Sequence, residues 1–537
     1  VQRSLATGGL KGRALAGLAI AAVCGHAAIA TPSARAVALR GFLPLSVVLC
    51  KTSDVPGDPT TVIGGSTPGT QAFYQQFFTD PGVRGLARYF QDQSYGKLTL
   101  VRGAVKGWYT MAQTAAQEQA LGAAGSNTRR EDKIPHCLAA AAASADRYRP
   151  PGNAYVHAMV NSGIDLFGLY RNSYSDNLSS FPQIAHEMAH NLGLPDGAGD
   201  TAMGTVTYQD WFDLMSCLNC AFNNGVLYAQ SPPMMNAPSR DRLGWIPRRL
   251  IATFGADGAR RARFAVAPIN SLNTTSPVLV RVPFDANNAF HYYTVELDAV
   301  DGSWAAGIGR SVVLVHEIKP DGTISLVGQK NLGEPGPILV RNGVQIALHP
   351  SAGATATVSV IGSIARACRP GWVWREAKPS DLVCVTPARR DQTRTQNQLA
   401  PGRILPDGLC RSGFVWREAF AGDHVCVPPP ARADARADNA AHQDRVNPAR
   451  DAFGPNTCAG GYVWREIDDS DYVCVTPAKR SLAKSLRALS HRLPNGTCVS
   501  GQVWREAVLG DHLCVTPKQR TDARKDNDAA AAHVVKP

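Results

Sequence analysis

The chain has no acidic residue before Asp54, no second apolar run of membrane-spanning length and no recognised nucleic-acid reader motif. Each absence excludes something. In the acid-free start, Arg3, Lys11 and Arg13 precede an apolar run that extends through Ala30, which reads as a secretory signal over residues 1–36. Small residues offer cleavage after Ala30 or Ala36. The run is too short and too alanine-rich to span a bilayer, so no transmembrane segment is expected in the mature chain. Four positive charges belong to this leader, and from Arg366 onward 26 basic residues face 19 acidic ones. The formal charge of +12 is therefore largely leader and tail, too diffuse to designate nucleic acid as a partner.

What is present is a folded protein with more than one body. Hydrophobic residues make up 44% and charged residues 18%, a globular composition, and 537 residues exceed one ordinary core. Removing Cys24 with the leader leaves twelve cysteines, and export makes these disulfide candidates. Eight lie in a regular C-terminal array; the others are Cys50, Cys137, Cys217 and Cys220. With no second Cys-x-x-Cys to complete a structural zinc site, disulfides are expected for Cys217 and Cys220. Cys50 is either a cap on a metal, acting as a latency switch, or, the favoured role, a disulfide partner.

Residues 37–250 mix short buried strands (43–50, 154–163) with helical stretches (72–96 around a Pro-Gly break, 136–148), and 97–109 reads as strands about a glycine turn. Without regular βαβ alternation this predicts an α+β domain. From 251 to 365, strands separated by Gly, Asn and Pro turns predict a β-sandwich. Residues 366–537 hold four copies of one unit, at 368–390, 410–432, 458–480 and 498–520. Every copy contains Val-Trp-Arg-Glu and places its second cysteine sixteen residues after the first. A unit of about twenty residues cannot bury enough surface to hold itself. Pairing of Cys368–Cys384, Cys410–Cys426, Cys458–Cys474 and Cys498–Cys514 within small hairpins is therefore expected, although pairing between neighbours is also open. The Ala-, Arg- and Asp-rich connections read as solvated linkers.

The chemistry lies in HEMAHNLGLPDG, residues 186–197. Ser179, Ser180 and Pro182 suit a helix start, and residues four apart share a helix face, so His186 and His190 can present nitrogens to one cation. Glu187 lies about 100° round the wheel, near a metal but free of it, as a general base requires. Gly193 ends the helix, Pro195 prevents its renewal, and Asp196 can swing back as third ligand. Three protein ligands leave a fourth position to water, the arrangement of a catalytic zinc. Manganese or cobalt could occupy the same site in vitro, and calcium is compatible with the chain although no pattern places it.

The pattern His-Glu-x-x-His-x-x-Gly-x-x-Asp resembles the metzincin metallopeptidases. These carry a methionine turn beneath the metal, and residues 208–217 look like one, with Met215 as a packing residue that coordinates nothing. Segments 90–109, 236–247 and 292–318 narrow the resemblance to secreted peptidases similar to the gametolysin and immune inhibitor A group. It covers roughly residues 40–360 and implies a zincin-like catalytic domain followed by a β-sandwich. Some metzincins place a tyrosine just after the methionine turn; here Ser216 and Cys217 follow, and Tyr208 is given no such role.

The expectation is a secreted zinc endopeptidase acting on extracellular or cell-surface proteins, with Glu187 as base and His186, His190 and Asp196 as ligands. The alternative is a cell-surface or polysaccharide-binding protein whose repeats carry the main function through Trp374, Trp416, Trp464 and Trp504. A miniature unit needs a core, however, which favours each tryptophan packing on its own disulfide. His136, His157, His291 and His316 lack ligand spacing and read as structural.

Overall fold

In the computed structural model, the described residues are 39–535 apart from 60–68, 102–104, 124–127, 200–209, 218–227, 229, 256–259, 286–287, 301–303, 352, 363–367, 370, 379–380, 382, 446–453, 488–492 and 494. The expected leader, Cys24, Tyr208 and Cys220 lie outside them.

The first sheet is organised by β1 (Gly41–Lys51), a largely apolar run without internal charge. It pairs in parallel with β2 (Leu98–Val101) and β3 (Val105–Thr110) on one side and β4 (Tyr155–Val160) on the other. The sheet continues through β6 (Asn172–Asp176), parallel to β4, and ends in β5 (Phe167–Leu169), which runs antiparallel. Alternation along β1 sends Leu43, Leu45, Val47 and Leu49 into one core and Val48 and Cys50 into another. Helices α1 (Gln71–Thr79), α2 (Leu86–Gln93) and α5 (Phe181–Asn191) fill the first core; α4 (Lys133–Ala143) covers the second. The short α3 (Ala115–Ala120) precedes α4. The architecture is thus a mixed α/β one. Its first sheet is largely parallel, because irregular crossovers without βαβ periodicity still bring β1, β4 and β6 side by side.

Two further sheets follow. One has the order β7 (Ala198–Gly199), β13 (Ile324–Asn331), β12 (Val312–Ile318), β11 (Tyr292–Asp298), β10 (Leu279–Pro283), β8 (Ile251–Thr253). The other runs β14 (Gly336–Arg341), β15 (Val344–His349), β16 (Ala356–Gly362), β9 (Arg261–Val266). Val280, Tyr293, Val295 and Val313 of the first meet Val266, Ile346, Val358 and Val360 of the second in one core. The edge strand β7 comes from the segment just after Asp196, and Leu250, Ile269, Leu279 and Trp304 join the core of the first sheet. The two regions share structure across residue 250.

Each C-terminal repeat is a disulfide-linked two-stranded hairpin, with Cys368–Cys384, Cys410–Cys426, Cys458–Cys474 and Cys498–Cys514 joined. Here two expectations change. The stretches read as solvated linkers form helices α7 (Pro387–Leu399), α8 (Pro429–Arg445), α9 (Pro477–Leu486) and α10 (Pro517–Ala529), started by proline and, in three of them, a threonine cap. The buried group of each unit is its arginine, not its tryptophan. Arg375, Arg417, Arg465 and Arg505 are 1–4% exposed and grip Asp381, Asp423, Asp471 and Asp511 in two-pronged pairs of 2.7–3.1 Å. The same aspartate also accepts a backbone N–H, from Ala377, Ala419, Ile467 or Ala507, at 3.0–3.1 Å. To reach it the chain puts a glutamate at φ +53° to +60° in every repeat.

The repeats pack in pairs. Arg375 donates to the carbonyl of Ala419 in the second repeat, and Arg465 to that of Ala507 in the fourth. The third repeat is docked on the body of the protein: Arg40 pairs with Asp468, Tyr472 donates to the Ile246 carbonyl at 2.6 Å, and Arg248 lies over both Trp464 and Tyr472.

Candidate metal centre

Helix α5 is set as its sequence dictates. Gln183 accepts the Ser180 N–H at 2.7 Å and Pro182 sits in the first turn. Buried Ile184, Ala185, Met188 and Ala189 fix the face that enters the core. Gly193, at φ +89°, reverses the chain, and the Leu194 carbonyl returns to accept the Nδ1–H of His190 at 2.7 Å. His186 donates its own Nδ1–H to the Leu214 carbonyl at 2.9 Å, in the turn that carries Met215. Met215 is 1% exposed and packs in the same core as Met188 and Leu194.

Those two hydrogen bonds fix the tautomers. Each Nδ1 holds the proton, so each Nε2 presents a lone pair. The two Nε2 atoms lie 3.1 Å apart, and Asp196 Oδ1 lies 3.2 Å from one and 3.4 Å from the other. Asp196 Oδ1 is buried without a hydrogen-bond donor. Three lone pairs this close repel unless a cation joins them. A tetrahedral zinc with bonds of ~2.0–2.1 Å separates its ligand atoms by about 3.3–3.4 Å, so the donor set fits. The carboxylates favour positive charge at this point: burial opposes charge on His190, yet Asp196 and Glu187 outweigh it and push its pKa up to about 9, so without a metal a proton takes the place a cation would fill. Burial alone would raise Asp196, but the two histidines hold its carboxyl well below the usual range.

The side chains of His186, Glu187 and His190 form a group that can hold a metal ion, with Glu187 Oε2 4.0 Å from His190 Nε2. Strand β5 lies against them. A Cβ on Gly168 would clash with the Glu187 carbonyl oxygen and stand 2.6 Å from His190 Cβ. Gly168→Ala is therefore expected to push β5 off α5, costing about 1–3 kcal/mol and weakening metal retention, read by urea unfolding and chelator competition. A variant with unchanged midpoint and affinity would show that the contact is slack.

Beneath the Met215 turn lies a buried ionic network that sequence reasoning did not assemble. His316 of β12 is fully buried between Asp210 (2.8 Å) and Glu296 of β11 (3.1 Å). Burial disfavours its charge, but the two carboxylates push its pKa up to about 10. Asp210 belongs to the turn itself: its carbonyl accepts the Cys217 N–H and its N–H donates to Ser216 Oγ. Glu296 also accepts the Ala237 N–H at 2.6 Å, at the start of α6 (Ala237–Arg242). The signal was in the sequence: titratable residues inside the largely apolar strands YYTVELD and VVLVHEI. The remaining histidines read as structural are paired, His157 with Ser173 and Ser175, His136 with Glu118, and His291 with Asp285 and Glu317. Cys50 is joined to Cys137, which removes it as a metal cap, and Cys217 is disulfide-bonded.

No protein-family model matches the chain, and no curated protein resembles it closely enough to count as a match. Among solved structures, wild-type OgpA from Akkermansia muciniphila is similar at 12% identity over 56% of this chain and 98% of that one, with a TM-score of 0.25. That likeness is too distant to assign a fold.

Proposed function

We propose that the chain is a secreted zinc-dependent endopeptidase, its residues 37–250 a zincin-like domain of metzincin type and 251–365 a β-sandwich. One observation carries this reading: the convergence of His186, His190 and Asp196 on a point beside Glu187. Zinc bound by those three residues would supply a Lewis acid and lower the pKa of a water to ~7. Glu187 takes the proton of the attacking water and returns it to the departing amine. The edge strand β5, paired on one side by β6 and touching α5 on its face, offers backbone groups along which an extended peptide can lie.

Export is supported by the five described disulfides, which persist in oxidising compartments. Among the described residues no helix is long and apolar enough to cross a membrane. The alternative, a surface-binding protein led by its repeats, is favoured by the exposed Trp416 and Trp504, and the readings are compatible.

Purified full-length protein is expected to carry one zinc per chain and to digest an unfolded protein; a chelator should stop digestion and added zinc restore it. Digestion indifferent to the chelator, or folded protein that takes up no zinc, would overturn the reading.

A further inference from the structure

The four repeats are alike in sequence but not in what covers them. Within each pair, the segment after the even repeat crosses back over the odd one. His442 of α8 accepts the Cys384 N–H at 3.2 Å, and Arg445 lies 4.4 Å over the ring of Trp372. After α10, His533 stacks on Tyr462 at 3.9 Å and donates to the Cys474 carbonyl at 3.0 Å. Trp464 is further engaged, donating to the Asn456 carbonyl under Arg248.

In the even repeats the tryptophan of the Val-Trp-Arg-Glu motif is exposed, while Phe414 of the second lies 4.9 Å under Arg403. Trp416 is 36% and Trp504 38% exposed, and each is backed by a histidine, His424 or His512, with ring centroids 4.3 Å apart. Beside Trp504 is an open cavity of about 260 Å³, lined in part by Thr497, Gln502, Glu506 and Arg520. Gln502 is one of the residues lining it, and its Oε1 has no hydrogen-bond donor. Arg520 stands 3.7 Å from Glu506, leaving the guanidinium only loosely paired. In the second repeat Phe414 replaces Gln502, while Glu418 and Arg432 keep the charged pair.

A flat aromatic ring wants an apolar face; a buried amide oxygen wants a hydroxyl or amine proton; a fork of guanidinium N–H groups wants a carboxylate. A carboxylated sugar offers all three at once. The volume lies below the ~300–1,000 Å³ of a drug-sized pocket, which suits a single ring rather than a folded protein.

We propose that the second and fourth repeats are sugar-binding sites for an acidic polysaccharide, stacking its rings on Trp416 and Trp504. The fourth is the fuller site. Two sites on one chain multiply retention on a polymer by avidity. The proposal does not depend on the peptidase reading.

The test is retention of the full chain on immobilised polygalacturonate, with cellulose, anionic phospholipid vesicles and duplex DNA as comparators at matched ionic strength. Trp504→Ala is expected to weaken retention roughly tenfold and the Trp416→Ala, Trp504→Ala double variant about a hundredfold or more. Trp504→Phe should recover part of the loss. Circular dichroism and digestion of an unfolded protein should be unchanged, since neither tryptophan is buried. Retention by cellulose alone, retention by no polysaccharide, or retention that the double variant leaves intact would overturn the proposal. So would equal binding to vesicles or DNA that salt removes and the tryptophan variants do not.

Discussion

Glu187→Ala is expected to leave one zinc bound per chain while digestion of an unfolded protein falls at least 10²–10⁴-fold, the usual contribution of a positioned general base. The separation of the two readouts follows from position on α5. The proposed ligand triangle does not need Glu187: its edges join His186, His190 and Asp196. Glu187 Oε2 stands 4.0 Å from the nearest corner, close enough to serve a water held there. The side chain is largely buried, and removing it trims one carboxylate without touching the buried apolar residues that seat the helix. Asp196→Ala is the matching control. It deletes a corner of the triangle, so metal and activity should be lost together. Zinc content and initial rate, measured on the same preparations, separate these outcomes. A Glu187→Ala protein with full activity would remove that residue from the chemistry, and one without zinc would make it a ligand instead.

How much of this was legible beforehand depends on how far the cause lies from its effect along the chain. The bend at Gly193 and Pro195 is local, and the backbone preferences of those residues announce it. The hairpin disulfides are nearly as local, since cysteines sixteen apart leave a short unit little other means of support. Strand β5 was not legible. It has three residues, no alternation to speak of, and its place beside α5 comes from strand order rather than from its own composition. The arginines of the repeats misled for another reason. Arginine beside glutamate on a polar stretch reads as solvent-facing, and only the aspartate six residues later, brought alongside by the hairpin, makes its burial tolerable. Tryptophan, the apolar candidate for that core, is half-buried at Trp374 and Trp464 and exposed at Trp416 and Trp504. The periodicity of residues 251–365 gave several strands but not that β7, more than fifty residues earlier in the chain, completes one edge of a sheet.

His316 is likewise remote in sequence from the metal centre, and its replacement is expected to have the second large effect. His316→Ala would leave Asp210 and Glu296 as buried carboxylates without their shared partner, a loss of about 3–5 kcal/mol when a buried pair is broken from one side. That is a large share of the ~5–15 kcal/mol that holds a typical domain. The consequence should reach the metal, because Asp210 ties down the turn whose Leu214 carbonyl orients His186. Loss of such an outer partner typically costs 10–100-fold in metal affinity. Chelator competition should therefore show weaker zinc binding although residue 316 touches no ligand. The network also sets a pH dependence. The pKa of His316 is raised from ~6.5 in the unfolded chain to about 10, so its stabilisation is complete below about pH 6.5 and is lost as pH climbs through 10. Asp213 and Asp298, pushed up by burial and by neighbouring carboxylates, act in the same direction, since the folded state again holds the proton more tightly. The urea midpoint of the wild type should fall steadily between pH 6 and 10, and His316→Gln, which can hydrogen-bond but not carry charge, should flatten the upper part of that fall. A variant with wild-type midpoint and zinc affinity across this range would mean that the turn is held by its own backbone bonds, and that β12 merely passes beneath it.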